Sequence, residues 1–369
     1  METRRRRASA LVKWPESTIS ILPAFVYGDA MIVQQKIQKL KLECLEMIKK
    51  ISILAAAVGF AVAASGAFAA YPEKPVSVIV PFAAGGPTDV VARSLAQAMG
   101  IQLKGSMIIE NVGGAGGTIG AGKVARAQGD GYTLLFHHIG MATAPSLYRK
   151  LDFKPLEDFI PIGAVVDVPM TIIAKPTMAQ TNAKDLIAFV RAHKDKINLA
   201  NAGVGSASHL CGLLLQSAMK TDLTTVPFSG TGPAMTALLG GNVDLMCDQT
   251  TNTSGQIKGG KVKAYAVTSK NKLANFPELP PLASELPGFE VGVWHILYAP
   301  KNTPADVVSK LQSALQAAIN DPGFAAKMKE LGAEIMSTDR QTSTGARAML
   351  QAEISKWSPI IQAAKAYAD

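Results

Sequence analysis

From residue 76 onward, short apolar segments alternate with helical segments, and few folds accommodate that order. Residues 76–81, 106–112 and 132–136 have the apolar character of buried strands. A helix is predicted to follow the first strand over Pro87 to Met99, and another follows the second strand. A β-α-β-α-β order is typical of a parallel sheet covered by helices. Because the alternation continues further along the chain, the sequence predicts an α/β protein.

Length and composition indicate a folded protein with more than one domain. The chain has 369 residues, of which 48% are hydrophobic and 18% are charged. Such a length corresponds to about two domains of ordinary size. A disordered chain would contain fewer apolar residues and carry a higher net charge. We therefore expect the chain to bury a sizeable core.

An apolar segment behind a short basic start marks the N-terminal part of the chain. Met47 begins the basic start, residues 51–64 are predominantly apolar, and Ala67-Phe68-Ala69 has the small-x-small pattern of a signal-peptidase site. These three parts together indicate a secretory signal peptide. The apolar part is too short to favour a permanent membrane span. We therefore predict a signal peptide over 47–69 and export to the periplasm.

The position of this segment is unusual, because a signal peptide normally begins the translated chain. We interpret residues 1–46 as an upstream extension that stems from a misassigned start, with Met47 as the true start. A genuine N-terminal extension is the alternative interpretation. Under the first interpretation, the mature protein begins at Ala70 or Tyr71.

The charge distribution argues against a nucleic-acid partner. The formal net charge is +9, but residues 1–69 contribute ten basic and five acidic residues to it. The remaining 300 residues therefore carry an excess of only four positive charges, and their Lys and Arg residues form no cluster. Nucleic-acid binding needs a basic face. The mild positive excess instead suits an anionic small molecule.

Two cysteines remain once the predicted leader is removed. Cys44 lies in the leader, whereas Cys211 and Cys247 belong to the mature chain. An even number of cysteines in an oxidising compartment is compatible with a disulfide bond between them. Two buried free thiols are the alternative, because free Cys packs as a small hydrophobic residue.

Several enzyme signatures are incomplete in this chain. Gly117 to Lys123 has the spacing of a phosphate-binding loop, but Val124 stands where Ser or Thr must hold magnesium. The run 113–120 never gives the dinucleotide-binding glycine spacing, and the turn at 205–208 lacks the flanking glycines of a nucleophile elbow. The five histidines show no metal-ligand spacing. We therefore predict no enzymatic activity, no cofactor and no metal.

Three strand-to-helix turns share one design. Small residues at 83–86, 203–206 and 229–232 each precede a predicted helix. The unpaired N–H groups and the dipole of a helix N-terminus bind carboxylate or phosphate without a basic side chain. Any one turn is better explained by the glycines that a tight turn needs, but the repetition favours a binding site. Asp89 and Arg93, four residues apart, are expected to pair, which neutralises Arg93.

Several motifs, in the same order along the chain, carry a resemblance to a known family. They include Tyr71-Pro72-Glu73-Lys74-Pro75, Pro81-Phe82-Ala83-Ala84-Gly85-Gly86-Pro87-Thr88-Asp89, Glu110-Asn111, Asp130-Gly131-Tyr132-Thr133-Leu134-Leu135, Ser208-His209-Leu210 and Gly241-Asn242-Val243-Asp244. Each motif alone is weak, but together they are specific. The chain resembles the Bug, or TctC, periplasmic receptors of tripartite tricarboxylate transport systems over essentially all of residues 70–369.

The resemblance implies a two-lobed, flytrap-like α/β fold of the type II kind. Each lobe is expected to contain a mostly parallel sheet flanked by helices. Lobe 1 is expected to comprise residues 70–170 and 291–369, and lobe 2 residues 171–290. The ligand site is then expected to lie between the lobes, in a form that closes around the ligand.

The resemblance also implies a set of ligand-binding residues. On the side of the first helix these are Phe82, Ala84, Gly85, Gly86, Thr88 and Asp89. On the facing side they are His138, Ser206, Ser208, His209, Thr231 and Asp248. The chain has His137-His138-Ile139-Gly140-Met141 where many relatives carry a Thr/Ser-rich run. We hypothesise that His138 donates a hydrogen bond to a second carboxylate of the ligand.

The function that this resemblance implies is capture of a small carboxylate. The sequence looks nearest to members that bind an acidic amino acid such as aspartate, and dicarboxylates belong to the same class. Uptake through the membrane subunits of a tripartite tricarboxylate transporter is the expected outcome. A ligand-presenting accessory of a membrane sensor kinase is an alternative, and an exported hydrolase or lyase is a weaker one.

Overall fold

The computed structural model describes residues 25–63, 71–364 and 367–368. The chain divides into two compact units, Met1–Ala69 and Ala70–Asp369. In the first unit, helix α1 spans Phe25–Ala63, and its side chains at 32–51 are exposed. The predicted cleavage site at 67–69 lies outside the described residues. Among the described residues, no helix combines the length and the apolar character that crossing a membrane requires.

Ten strands and ten helices build the described part of the second unit. The strands are β1 (Val76–Val80), β2 (Met107–Asn111), β3 (Thr133–His138), β4 (Phe159–Ala174), β5 (Asn198–Asn201), β6 (Thr224–Pro227), β7 (Leu245–Gln249), β8 (Lys263–Val267), β9 (Gly292–Pro300) and β10 (Glu334–Ile335). The helices are α2 (Pro87–Leu103), α3 (Thr118–Ala125), α4 (Gly140–Leu147), α5 (Ala183–Ala192), α6 (Ala207–Met219), α7 (Thr231–Leu239), α8 (Thr250–Lys258), α9 (Ala305–Ile319), α10 (Pro322–Glu330) and α11 (Ser343–Ala364).

The strands form one continuous mixed sheet, which confirms the α/β fold class. Its order is β2-β1-β3-β9-β4-β7-β5-β6, with β10 and β8 pairing on β4. Strands β1, β2 and β3 are parallel, and so are β5, β6 and β7. The pairings of β9 with β3 and β4, and of β7, β8 and β10 with β4, are antiparallel. The expected parallel pairing therefore holds for two sets of three strands, and the antiparallel pairs join them.

Strand β4 changes partners partway along its length. Its residues Phe159–Pro169 pair with β9, whereas Met170–Ala174 pair with β7. We call β1, β2, β3, β9, β10 and residues 159–169 of β4 the first half-sheet. We call β5, β6, β7, β8 and residues 170–174 of β4 the second half-sheet. Because β9 begins at Gly292, opposite Pro169, the chain passes between the half-sheets at these two neighbouring points.

Local sequence explains why the first strand and helix form as they do. Val76, Ile79 and Val80 are fully buried, as expected for a strand that helices cover. Pro87 stands in the first turn of α2, where its missing N–H group leaves no hydrogen bond unmade. The helix ends at Leu103 and is capped by Lys104, whose left-handed backbone turns its N–H group back to the carbonyls of the last turn. Sequence and local geometry thus agree on where the turn before α2 lies.

A disulfide bond joins helix α6 to the second half-sheet. It links Cys211 on α6 with Cys247 on β7, whose Cα atoms are 6.1 Å apart. Both residues are fully buried. Cys44, on α1, is a free and exposed thiol.

Candidate functional site

The carboxyl ends of several strands surround one small cavity between the half-sheets. Its volume is about 20 Å³, which is enough for about one water molecule. From the first half-sheet side it is lined by Phe82, Ala83, Gly86, Pro87, Thr88 and His138. From the second it is lined by Ala202, Ser206, Ala207, Ser208, Gly230, Thr231, Asp248 and Gln249. Ligands of α/β proteins bind at this edge of a sheet.

The cavity brings together most of the residues that the sequence predicts for the site. Phe82, Gly86, Thr88, His138, Ser206, Ser208, Thr231 and Asp248 line it, whereas Ala84, Gly85, Asp89 and His209 do not. Sequence reasoning missed Ala83, Pro87, Ala202, Ala207, Gly230 and Gln249. For Gln249 a signal existed, because it is a polar residue at the carboxyl end of a buried strand. That these residues bind a ligand stays a prediction.

Helix N-termini reach the cavity from both sides. Helix α2 begins after Gly86, α6 after Ser206, α7 after Gly230 and α8 after Gln249, and all four of these residues line the cavity. The first N–H groups of a helix lack partners within the helix, and the helix dipole adds a partial positive charge. An anion in the cavity would therefore lie near four favourable helix ends.

Asp89 organises the turn before α2 and does not line the cavity. Its Oδ2 accepts hydrogen bonds from the Gly85 N–H (2.9 Å) and from Nε of Arg93 (2.8 Å), and its Oδ1 accepts one from Asn111 (2.9 Å). Burial opposes ionisation of this carboxyl, but the hydrogen bonds from Arg93, Gly85 and Asn111 outweigh it and lower its pKa. The predicted pairing of Asp89 with Arg93 is confirmed. Asp89 is thus a satisfied structural carboxylate that fixes the Gly85 backbone.

Three buried histidines lie together behind the first side of the cavity. The ring centroids of His137 and His138 are 5.0 Å apart, and those of His138 and His295 are 5.8 Å apart. Burial lowers the pKa of His137 and of His295 to about 3 and that of His138 well below its usual value. All three rings are therefore neutral at physiological pH.

The hydrogen bonds of His138 fix which ring nitrogen carries the proton. Its Nδ1 accepts a hydrogen bond from the Gly140 N–H at 2.9 Å. A neutral imidazole has one donor and one acceptor nitrogen, so the proton must be on Nε2. The ring stacks on Phe82, with centroids 4.4 Å apart, and lines the cavity. His138 thus lines the cavity with a neutral ring whose Nε2 is a hydrogen-bond donor.

Two serine hydroxyls at the start of α6 leave one proton available. Ser206 Oγ accepts from the His209 N–H at 3.3 Å, and Ser208 Oγ accepts from the Ala202 N–H at 2.7 Å. The two hydroxyls also lie 3.1 Å from one another. Because that contact uses only one of the two hydroxyl protons, the other can be donated to a ligand. His209 accepts from the Gly205 N–H (3.3 Å) and so supports the turn from outside the cavity.

Asp248 and Gln249 add hydrogen-bond acceptors to the second side of the cavity, which also holds the donors at the starts of α6 and α7. Asp248 is 1% exposed, and its Oδ2 accepts a hydrogen bond of 2.6 Å from Asn252. Burial raises the pKa of this carboxyl to about 7, although the hydrogen bonds from Asn252 and the Gln249 backbone oppose the shift. Gln249 is also buried, and its Oε1 has no hydrogen-bond partner.

The cavity lining contains no Lys or Arg among the described residues. Recognition of an anion there would depend on neutral donors and helix N-termini. No group of three or more His, Cys, Asp or Glu side chains in the described part of the chain is arranged to hold a metal ion.

Sequence comparisons connect the chain to a family of receptors. The family model described as "Tripartite tricarboxylate transporter family receptor" matches residues 91–365. The chain is 44% identical over 295 residues to the "UPF0065 protein in the TAR-I ttuE-ttuC' intergenic region" of Agrobacterium vitis. That alignment covers 80% of this chain and 85% of the relative.

Solved structures of similar proteins share the fold. The structure described as "periplasmic binding protein BugD" is 52% identical, with a TM-score of 0.78, and the match covers 80% of this chain and 99% of that one. MatC from Rhodopseudomonas palustris, solved with bound malate, is 39% identical, with a TM-score of 0.75. That match covers 79% of this chain and 100% of MatC.

Proposed function

This chain belongs to the tripartite tricarboxylate transporter receptor family, and we propose that it captures a dicarboxylate or an acidic amino acid such as aspartate. The observation that carries the proposal is the cavity into which α2, α6 and α7 direct their N-termini. Such helix ends bind carboxylates without basic side chains. The malate that is bound to MatC is an acid of this class. The captured ligand is then delivered to the membrane subunits of a transporter.

The ligand enters when two lobes separate. Lobe 1 comprises residues 70–170 and 291–369, and lobe 2 residues 171–290. The change of partners along β4 between Pro169 and Met170 supports these boundaries. A volume of about 20 Å³ is far below the few hundred Å³ typical of a ligand pocket. Entry of an acid therefore requires the lobes to move apart.

The receptor works in the periplasm, as other members of its family do. We assign the signal peptide to residues 47–69, which end where the second compact unit begins. The disulfide between Cys211 and Cys247 supports an oxidising compartment.

A thermal-shift screen tests the proposal. Residues 70–369, which form one compact unit, are unfolded and refolded to remove carried ligand, then mixed with dicarboxylates, acidic amino acids, monocarboxylates and sugars. A ligand at 100 times its Kd stabilises the native state by about 2.7 kcal/mol. For a protein of this size, the melting temperature then rises by roughly 4 °C. A rise with sugars alone, or chemical turnover of any acid, would contradict the proposal.

A variant of His138 tests the second carboxylate. His138→Ala removes the Nε2–H donor, so a dicarboxylate should lose more affinity than a monocarboxylate does. Equal losses for the two ligands would show that His138 does not contact a second carboxylate.

A further inference from the structure

Gln249 brings an unsatisfied acceptor to the ligand cavity. The residue is 3% exposed, lies at the carboxyl end of β7 and lines the cavity. Its Oε1 atom is buried and has no hydrogen-bond partner. A buried polar atom without a partner is costly, and native proteins rarely keep one without a use for it. An unpaired acceptor on a residue that lines the cavity suits a ligand that brings its own hydrogen-bond donor.

The second side of the cavity holds hydrogen-bond acceptors beside its own donors, the starts of α6 and α7. On the first side, the start of α2 and the Nε2–H of His138 are donors. On the second, Gln249 stands beside Asp248, whose carboxyl lacks a Lys or Arg partner among the described residues. A complementary ligand presents a carboxylate to the donors and a hydrogen-bond donor to the acceptors.

We propose that Gln249, together with Asp248, selects acids that carry a hydroxyl or ammonium group on the carbon next to a carboxylate. The inference rests on the proposed function and names the subclass of acid that the site accepts. An unsubstituted dicarboxylate leaves the Gln249 Oε1 unpaired and brings its own negative charge close to Asp248. Leaving a buried acceptor unpaired reduces affinity by roughly 10- to 100-fold.

Hydroxyl and ammonium groups are both hydrogen-bond donors, and Asp248 distinguishes between them. An ionised carboxylate without a basic partner gains more from an ammonium group than from a hydroxyl, because the ammonium neutralises it. Asp248→Asn removes that charge and keeps the shape of the side chain. It should therefore weaken an amino acid ligand more than the corresponding hydroxy acid.

Two matched ligand series provide the test. Succinate, malate and aspartate differ only at one carbon, and so do glutarate, 2-hydroxyglutarate and glutamate. Dissociation constants are measured by calorimetry for the wild-type protein, for Gln249→Met and for Gln180→Met. Gln180 is the matched control, because its Oε1 is also buried without a partner but the residue does not line the cavity.

The expected result is a preference of at least tenfold for a substituted acid over its unsubstituted partner in the wild-type protein. Gln249→Met should reduce that preference to about twofold, mainly by strengthening binding of the unsubstituted acid, which then no longer leaves a buried acceptor unpaired. Gln180→Met should preserve the preference. If circular dichroism shows that Gln249→Met is unfolded, Asp248→Asn provides the test instead. The preference for substituted acids must also be smaller in that variant than in the wild type.

Three outcomes would overturn the inference. If the wild-type protein binds substituted and unsubstituted acids equally well, the selection does not exist, although the proposed function stands. If the preference survives in Gln249→Met, or in Asp248→Asn where that variant decides, these residues do not produce it. If no acid of either series binds, the proposed function fails together with the inference.

Discussion

The hydroxyl of Tyr148 donates a hydrogen bond of 3.1 Å to the backbone carbonyl of Val204. Tyr148 directly follows α4, the helix after strand β3 of the first half-sheet. Val204 lies in the turn between β5 and α6, on the side of the second half-sheet. Neither residue lines the cavity. This bond therefore joins the two sides of the cavity from outside the space that a ligand would occupy.

Removing the Tyr148 hydroxyl should weaken the closed form. A hydrogen bond of this kind contributes about 0.5–1.5 kcal/mol, so Tyr148→Phe should raise the Kd of the ligand by roughly 2- to 12-fold. The rise should come mainly from faster dissociation, measured by stopped-flow fluorescence. Selectivity among ligands should not change, because the hydroxyl does not contact them.

Tyr265→Phe is the matched control for that prediction. The Tyr265 hydroxyl also donates to a backbone carbonyl, that of Gln180 at 3.0 Å, but both residues belong to the second half-sheet side. Its loss should leave the Kd unchanged. Equal effects of the two variants would show that Tyr148 does not act through closure.

Gly116 allows the turn before α3 to approach Val204 closely. A Cβ atom at Gly116 would lie 2.6 Å from the Val204 carbonyl oxygen, a backbone atom that cannot simply move aside. We expect Gly116→Ala to obstruct closure and to raise the ligand Kd at least tenfold in calorimetry.

Backbone strain must be separated from this obstruction. Gly116 has φ +60°, a region that alanine rarely adopts, and Gly260 has φ +63° with no atom within 4 Å of the place that a Cβ would take. Gly260→Ala should therefore cost stability through the same strain but leave the Kd unchanged. A similar Kd for both variants would contradict the obstruction.

Asp248 should make the ligand-free protein less stable as the pH rises. Its pKa is about 7 when folded, against an ordinary value of 3.8. A carboxyl whose pKa is raised by folding contributes stability that is present below pH 3.8 and is lost as the pH rises through 7. Asp248→Asn removes this dependence. The free energy of unfolding of the variant minus that of the wild type should therefore increase by about 1.4 kcal/mol per pH unit between pH 4 and 7.

Urea denaturation at pH 5, 6, 7 and 8 measures that difference. The gap between Asp248→Asn and the wild type should stop widening above pH 7. A gap that stays constant over the whole range would show that Asp248 titrates normally.

The buried histidines should have the opposite effect at acidic pH. The pKa of His295 falls from 6.5 to about 3 on folding, because the buried ring is protonated only with difficulty. Its contribution to stability is present above pH 6.5 and is lost as the pH falls toward 3. As the pH falls, the free energy of unfolding of His295→Gln should therefore decrease by about 1.4 kcal/mol per pH unit less than that of the wild type. Urea denaturation of the wild type and of His295→Gln at a series of acidic pH values compares the two slopes, and equal slopes would contradict the effect of His295.

Local pattern was sufficient to predict the early part of the fold. The strands predicted at 76–81, 106–112 and 132–136 correspond to β1, β2 and β3 within two residues at each end. Apolar runs and small-residue turns depend on neighbouring residues only, so the sequence displays them directly. The antiparallel direction of β9 was not predictable, because a buried strand has the same apolar pattern in either direction.

The contacts between the two half-sheets were not accessible to the same reasoning. Tyr148 and Val204 are 56 residues apart, and their contact exists only once both half-sheets have folded and approached one another. The free Oε1 of Gln249 is likewise a property of its surroundings and not of its residue type. The family resemblance supplied the loops that surround the cavity, while the contacts between them needed the structure.

The disulfide between Cys211 and Cys247 should stabilise the mature protein substantially. It closes a loop with a sequence separation of 36 residues, and the chain-entropy model then gives about 4 kcal/mol. For a protein of this size, the loss corresponds to roughly 6 °C in melting temperature.

We expect dithiothreitol to lower the melting temperature of the wild type by about that amount, since the unfolded chain then gains freedom. The double variant Cys211→Ala/Cys247→Ala should melt at a reduced temperature with or without the reductant, because it has no bond to break. If the reductant leaves the wild type unchanged while mass spectrometry finds two free thiols in the oxidised sample, the two cysteines pack as thiols and the stabilisation does not exist.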